Sequence, residues 1–99
     1  MKIVQVVPRL DIDESLKSMM KAKERALRGG TTAFSRKREG QWVHVKYKGV
    51  VRWEEVQGGI VIAEIRASEE DDWQLLRAFV GYLDRHFRDA IESMTIYYR

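Results

Sequence analysis

Between Gln41 and Ala67 the chain reads QWVHVKYKGVVRWEEVQGGIVIAEIRA, with apolar and polar residues alternating along short runs separated by turn residues. Alternation with a period of two gives each face of a β-strand its own side-chain set, so this stretch predicts a three-stranded meander. Tyr47-Lys48-Gly49 and Gln57-Gly58-Gly59 each suit a three-residue hairpin loop with glycine at the left-handed position. Those loops pair Val45 with Val51, Val43 with Trp53, Trp53 with Ala63 and Val51 with Ile65, all on one face beside Val61. Two-residue loops would put Val43 and Val45 on the face of Arg52 and Glu54. A one-residue slip turns every side chain over, so the three-residue loops are preferred. The opposite face then carries Trp42, His44, Lys46, Val50, Arg52, Glu54, Ile60, Ile62, Glu64 and Arg66.

Upstream, residues 2–7 (KIVQVV) are β-branched and end at Pro8, which predicts a first strand. Asp11 or Asp13 is placed to cap a helix running to Arg28, with Gly29-Gly30 as its stop. Ile12, Leu16, Met19, Met20 and Leu27 form its apolar stripe. Lys17, Lys21, Arg25 and Arg28 lie opposite, on a charged face shared with Glu14 and Glu24. Lys23 falls inside the apolar stripe and reads as a snorkelling lysine. Residues 31–40 (TTAFSRKREG) have no periodicity and read as an exposed loop. Ser68 followed by acids starts a second helix, from Glu69 to Arg88, with Trp73, Leu76, Phe79, Val80, Leu83 and Phe87 as its apolar arc. Residues 93–98 (SMTIYY) alternate as a last strand.

The order is β-α-β-β-β-α-β, without repeats or linkers, and predicts a single α+β domain over residues 1–99. Both helices are expected on the Val43/Trp53/Ile65 face of a mainly antiparallel five-stranded sheet, as a two-layer sandwich. This order resembles a ferredoxin-like domain with an added strand, a resemblance that concerns the fold and implies no activity.

Zero cysteines exclude disulfides and thiol chemistry, and no apolar run approaches the roughly 20 residues of a spanning helix. The N-terminus, MKIVQVVPRLDIDE, lacks the form of a signal peptide. A cytoplasmic protein with no metal, no cofactor and no membrane association is the expectation. Net charge is +3, unevenly spread: Lys17–Arg38 holds eight cations and one acid, 8 − 1 = +7, leaving −4 for the remainder. Such a basic pole attracts polyanions.

Catalytic signals are weak. His44 and His86 are the only histidines, and no spacing suits a metal site. No serine sits in a nucleophile-elbow context, and Glu54, Glu55 and Glu64 alternate as ordinary strand-surface residues. Gly29-Gly30-Thr31-Thr32 follows a helix rather than preceding one, so it reads as a C-cap and not a phosphate loop. The leading expectation is a small non-enzymatic binding module for RNA, DNA or another acidic partner, acting through Lys17, Lys21, Arg25, Arg28, Arg36, Lys37 and Arg38. The second is a protein-interaction module or homodimer using Trp42, His44, Lys46, Arg52, Ile60 and Ile62, because apolar surface costs about 25 cal/mol per Å² to leave wet. On that face Trp42 is also suited to stacking on a base. The third is a metal-independent ribonuclease centred on His44.

Overall fold

The computed structural model describes residues 1–28 and 32–99. The elements are β1 (Lys2–Pro8), α1 (Leu16–Glu24), β2 (Phe34–Arg38), β3 (Gln41–His44), β4 (Val50–Glu55), β5 (Val61–Arg66), α2 (Asp72–Phe87) and β6 (Ile91–Tyr98). The strands form one antiparallel sheet in the order β2-β3-β4-β5-β1-β6. The class is α+β with two helices, and the sheet has six strands where five were expected. Set the β2–β3 hairpin aside and the order is β4-β5-β1-β6, in which β1 and β4 flank β5, the interleaving of a split β-α-β unit.

The sixth strand is β2, in the segment whose polarity reads as a loop. Its pairing with β3, Phe34 opposite His44 and Arg36 opposite Trp42, supplies an order that hydrophobic periodicity does not announce. As an edge strand it needs only one anchoring side chain, and Phe34 alone of its residues is buried. Charged edge residues also discourage pairing with foreign strands.

The β4–β5 register is the expected one: Val51 opposes Ile65 and Trp53 opposes Ala63, with Gly58 and Gly59 at φ of +83° and +76° in the turn. The β3–β4 register is not. Trp42, rather than Val45, stands opposite Val51, a displacement of 45 − 42 = 3 residues. An odd displacement turns the strand over. Trp42 therefore enters the core with 0% exposure, Val43 is half-buried, and Val45 is 78% exposed. The reason lies at both ends of the strand. Burying one indole against Trp53, Phe79 and Tyr82, with its N–H satisfied, displaces two valines as the inward set. At the other end β3 stops at His44, whose Nδ1 accepts from the Lys46 and Tyr47 amides and bends the chain away.

Helix boundaries shift similarly. α1 is capped by Ser15, whose hydroxyl accepts from the Ser18 amide at 3.1 Å, so neither Asp11 nor Asp13 serves. Its last helical residue is Glu24 rather than Arg28, and the Gly29-Gly30 stop, with Thr31, lies outside the described residues. α2 starts at Asp72 rather than Glu69, and Ser68 acts through its carbonyl, which accepts from the Asp71 and Asp72 amides. Its buried face is Leu75, Leu76, Phe79, Leu83 and Phe87, while Trp73 is 43% exposed and Val80 half-buried. Asp72 turns inward instead, pairing with Lys2 at 2.7 Å.

Leu16, Met20 and Leu27 join those α2 residues and Val4, Val6, Trp42, Val51, Trp53, Val61, Ala63 and Ile65 in one hydrophobic cluster. Among the described residues, no helix is long and apolar enough to cross a membrane.

Candidate nucleic-acid interface

The site is organised by a carboxylate that sequence periodicity assigns to the charged surface. Glu24, the last residue of α1, is only 4% exposed. Its Oε1 accepts from Arg36 Nε at 3.1 Å, and its Oε2 accepts from the Gly40 amide at 3.1 Å and Trp42 Nε1 at 2.7 Å. A buried carboxylate needs this many donors to offset its lost hydration. The backbone of Gly40 completes the joint, because its carbonyl accepts from the Trp53 amide at 2.8 Å. Gly40 has φ of +73°, and a Cβ there would lie 2.9 Å from the Trp53 carbonyl oxygen, so glycine is required. The turn between β2 and β3 is thereby held between α1 and β4. The available signal for Glu24 was spacing alone: four residues after Met20 and three before Leu27, at the border of the apolar stripe.

Through this joint Arg36 of β2 meets the C-terminal end of α1. Lys17, Lys23 and Arg25 are exposed along α1 and its cap, with Arg28 exposed just beyond, and Arg36, Lys37 and Arg38 are exposed on β2. From Lys17 to Glu39 there are eight cations and two acids, 8 − 2 = +6. Lys21 is half-exposed and ion-paired with Glu39. Lys21 holds the Glu39 carboxyl below the usual carboxylate range, helped by the fields of Arg36 and Lys17. Among the described residues no carboxylate reaches salt-bridge distance of Lys17, Lys23, Arg25, Lys37 or Arg38. Two shallow grooves flank the Lys21–Glu39 pair. One, of about 280 Å³, is lined by Lys21, Glu24, Arg25, Arg36 and Glu39. The other, of about 410 Å³, runs from Lys17 and Lys21 to Arg52, Trp53 and Glu55. Patch and grooves offer a phosphate chain repeated cationic contacts without an enclosed pocket.

The expected interaction face comes apart. Trp42 is in the core. His44 follows it to that side, edge-on to Phe34 and stacked on Tyr47, each with ring centroids 4.9 Å apart. Burial first, and the Lys46 charge second, push its imidazole below the ordinary histidine range. Lys46 is exposed in the connection after β3, its Nζ 5.7 Å from the centre of the Tyr47 ring. Ile60 ends the turn before β5, where its carbonyl accepts from the Val56 amide. Arg52 and Ile62 do remain together, with Glu54, Glu64 and Arg66, around a groove of about 160 Å³. Arg66 pairs there with Glu64 at 3.0 Å. With Trp42 removed, that groove has no aromatic ring on which a base could stack.

Acid–base chemistry gains little from the arrangement. His44 Nδ1 is occupied by two backbone amides, so the proton of its neutral ring sits on Nε2. His86 is exposed and packs on Tyr82 at 4.3 Å between centroids. It is also pushed below the ordinary range, by burial and then by Lys23 and Arg85. Among the described residues, no group of three or more potential ligands could hold a metal ion. In comparisons with protein-family models, curated proteins and solved structures, nothing matches this chain.

Proposed function

We propose that the chain is a small non-enzymatic binding module that holds RNA or DNA by its phosphates, on the patch formed by α1 and β2. In this reading both helices lie on the Trp53/Ile65 face of the sheet as a two-layer sandwich, and the patch occupies one edge of it. The supporting observation is the Glu24 joint, which ties Arg36 and the β2–β3 turn to the end of the helix that carries Lys17, Lys21 and the capping Arg25, with Lys37 and Arg38 following on the same strand. Fixed cations on two neighbouring elements are suited to a polyanion, whose bound counterions they release. Trp53, which lines the larger groove, is only 4% exposed and offers a base no stacking face, so contacts are to the backbone and sequence preference is weak.

A fluorescence-anisotropy titration of labelled duplex DNA and single-stranded RNA against salt tests this. Binding should weaken linearly on a log–log plot, with about −0.9 in slope per phosphate neutralised on duplex and about −0.7 on a single strand. Lys37→Ala with Arg38→Ala, which spares the structural Arg36, should flatten that slope by about 1 to 2 units. Absent binding at low salt, or an unchanged slope in the variant, would refute the proposal.

A further inference from the structure

β6 ends the sheet opposite β2, and its free side has a different chemistry. Arg99 and Met1 exchange both backbone hydrogen bonds, at 2.9 and 3.2 Å. In an antiparallel pair such exchanges recur at every second residue. The amides and carbonyls of Ser93, Thr95 and Tyr97 therefore face β1, and those of Met94, Ile96 and Tyr98 face outward. Three N–H and three C=O groups stand in a row along a stretch of unbroken register, since the one irregularity is confined to Val7/Pro8. Among the described residues no strand pairs with them.

Sheet edges are ordinarily protected by lysines, prolines, bulges or inward charges. β2 carries Arg36, Lys37 and Arg38, whereas SMTIYY at 93–98 carries no charge and no proline. The side chains beside the outward groups are apolar too. Met94 and Ile96 are only partly buried at the border of the core cluster, and Tyr98 is 70% exposed. On the other face of the strand Tyr97 is 41% exposed.

We infer that β6 pairs antiparallel with β6 of a second copy about a two-fold axis through Ile96, joining two six-stranded sheets into one. A two-fold normal to the sheet keeps each face on its own side, so residues meet partners of the same parity. Centred on Ile96, the pairing sets Met94 against Tyr98, Ile96 against its own copy and Thr95 against Tyr97. All three outward residues then sit in hydrogen-bonded pairs. Centring on Thr95 or Met94 would instead carry Tyr98 opposite Glu92 or Ala90, into the irregular end of the strand. A second copy is the favoured occupant because the edge complements itself. Its donors and acceptors match in number, methionine sulfur meets an aromatic ring, and no like charges oppose one another.

Sedimentation equilibrium over a dilution series should give twice the 11.6 kDa chain mass at high concentration. A mass of 11.6 kDa throughout overturns the inference. Thr95→Lys with Tyr97→Lys, both on exposed positions, brings lysines face to face across the axis and should abolish the dimer. Ile62→Glu on the open face should leave it intact. Persistence of the dimer in the first variant, or its loss in the second, places the contact elsewhere and overturns the inference. Amide exchange on the unmodified chain reads the edge without relying on a variant that folds. The Met94, Ile96 and Tyr98 amides should slow as concentration rises; coil-like exchange at every concentration is the contrary result.

Discussion

Trp42 Nε1 donates to Glu24 Oε2 at 2.7 Å, joining the last residue of α1 to the second residue of β3. Both partners are buried, Glu24 at 4% and Trp42 at 0% exposure, so the contact is held in a medium of low polarity. Glu24→Ala strands the Trp42 and Gly40 donors and should cost about 3–5 kcal/mol in chemical denaturation. Glu24→Gln keeps an acceptor oxygen and should cost less. Trp42→Phe, which removes the N–H and some packing, should cost about 1–3 kcal/mol. A Glu24→Ala effect below about 0.5 kcal/mol, the range of ordinary surface changes, would contradict the joint.

The turned-over register of β3 makes an opposite pair of expectations. Val45→Lys, at a position 78% exposed, should shift stability by no more than about 0.5 kcal/mol. Trp42→Lys, at 0% exposure, should prevent folding by circular dichroism. The alternative register, with Val45 against Val51, demands the reverse outcome for both variants.

Glu39 competes with any anion for Lys21. Their ion pair is exposed, and such pairs are worth little in water, so a phosphate can displace it at small cost. Glu39→Gln should therefore tighten nucleic-acid binding at low salt without lowering the melting temperature. Unchanged or weaker binding in that titration would remove Lys21 from the interface.

Histidine protonation gives the fold a pH dependence of definite sign. His44 and His86 are both held below their ordinary values, so charging either one opposes folding. Their contribution is fully present above about pH 6.5, the unfolded value, and is lost as pH falls through the folded values. Asp72, kept low mainly by its hydrogen bond to Lys2, loses its contribution only in the acid range below about pH 4. Melting temperatures should thus fall between about pH 7.5 and pH 5.5. His44→Asn, which retains an acceptor for the Lys46 and Tyr47 amides but cannot titrate in that range, should show a smaller fall. An identical fall in the variant would assign the effect to His86 or elsewhere.

Periodicity alone was sufficient for β1, β4, β5, β6 and the existence of both helices, because each carries enough apolar residues at a regular spacing to declare its buried side. The β4–β5 register was legible for the same reason: Gly58 and Gly59 mark the turn, and Val51, Trp53, Ala63 and Ile65 agree on one face. Three decisions waited for tertiary structure. β2 became a strand because β3 offered it a partner, an attraction between backbones that leaves no trace in polarity. β3 turned over because a single buried indole outweighed two valines, a comparison that depends on Phe79, Tyr82 and Glu24 being in place. Glu24 went inside because three donors, all from the β2–β3 hairpin 12, 16 and 18 residues away, converge on it. The basic character of 17–38 could be read directly from the chain. That Arg36 of β2 meets the end of α1 follows from the Glu24 joint, which only the folded arrangement creates.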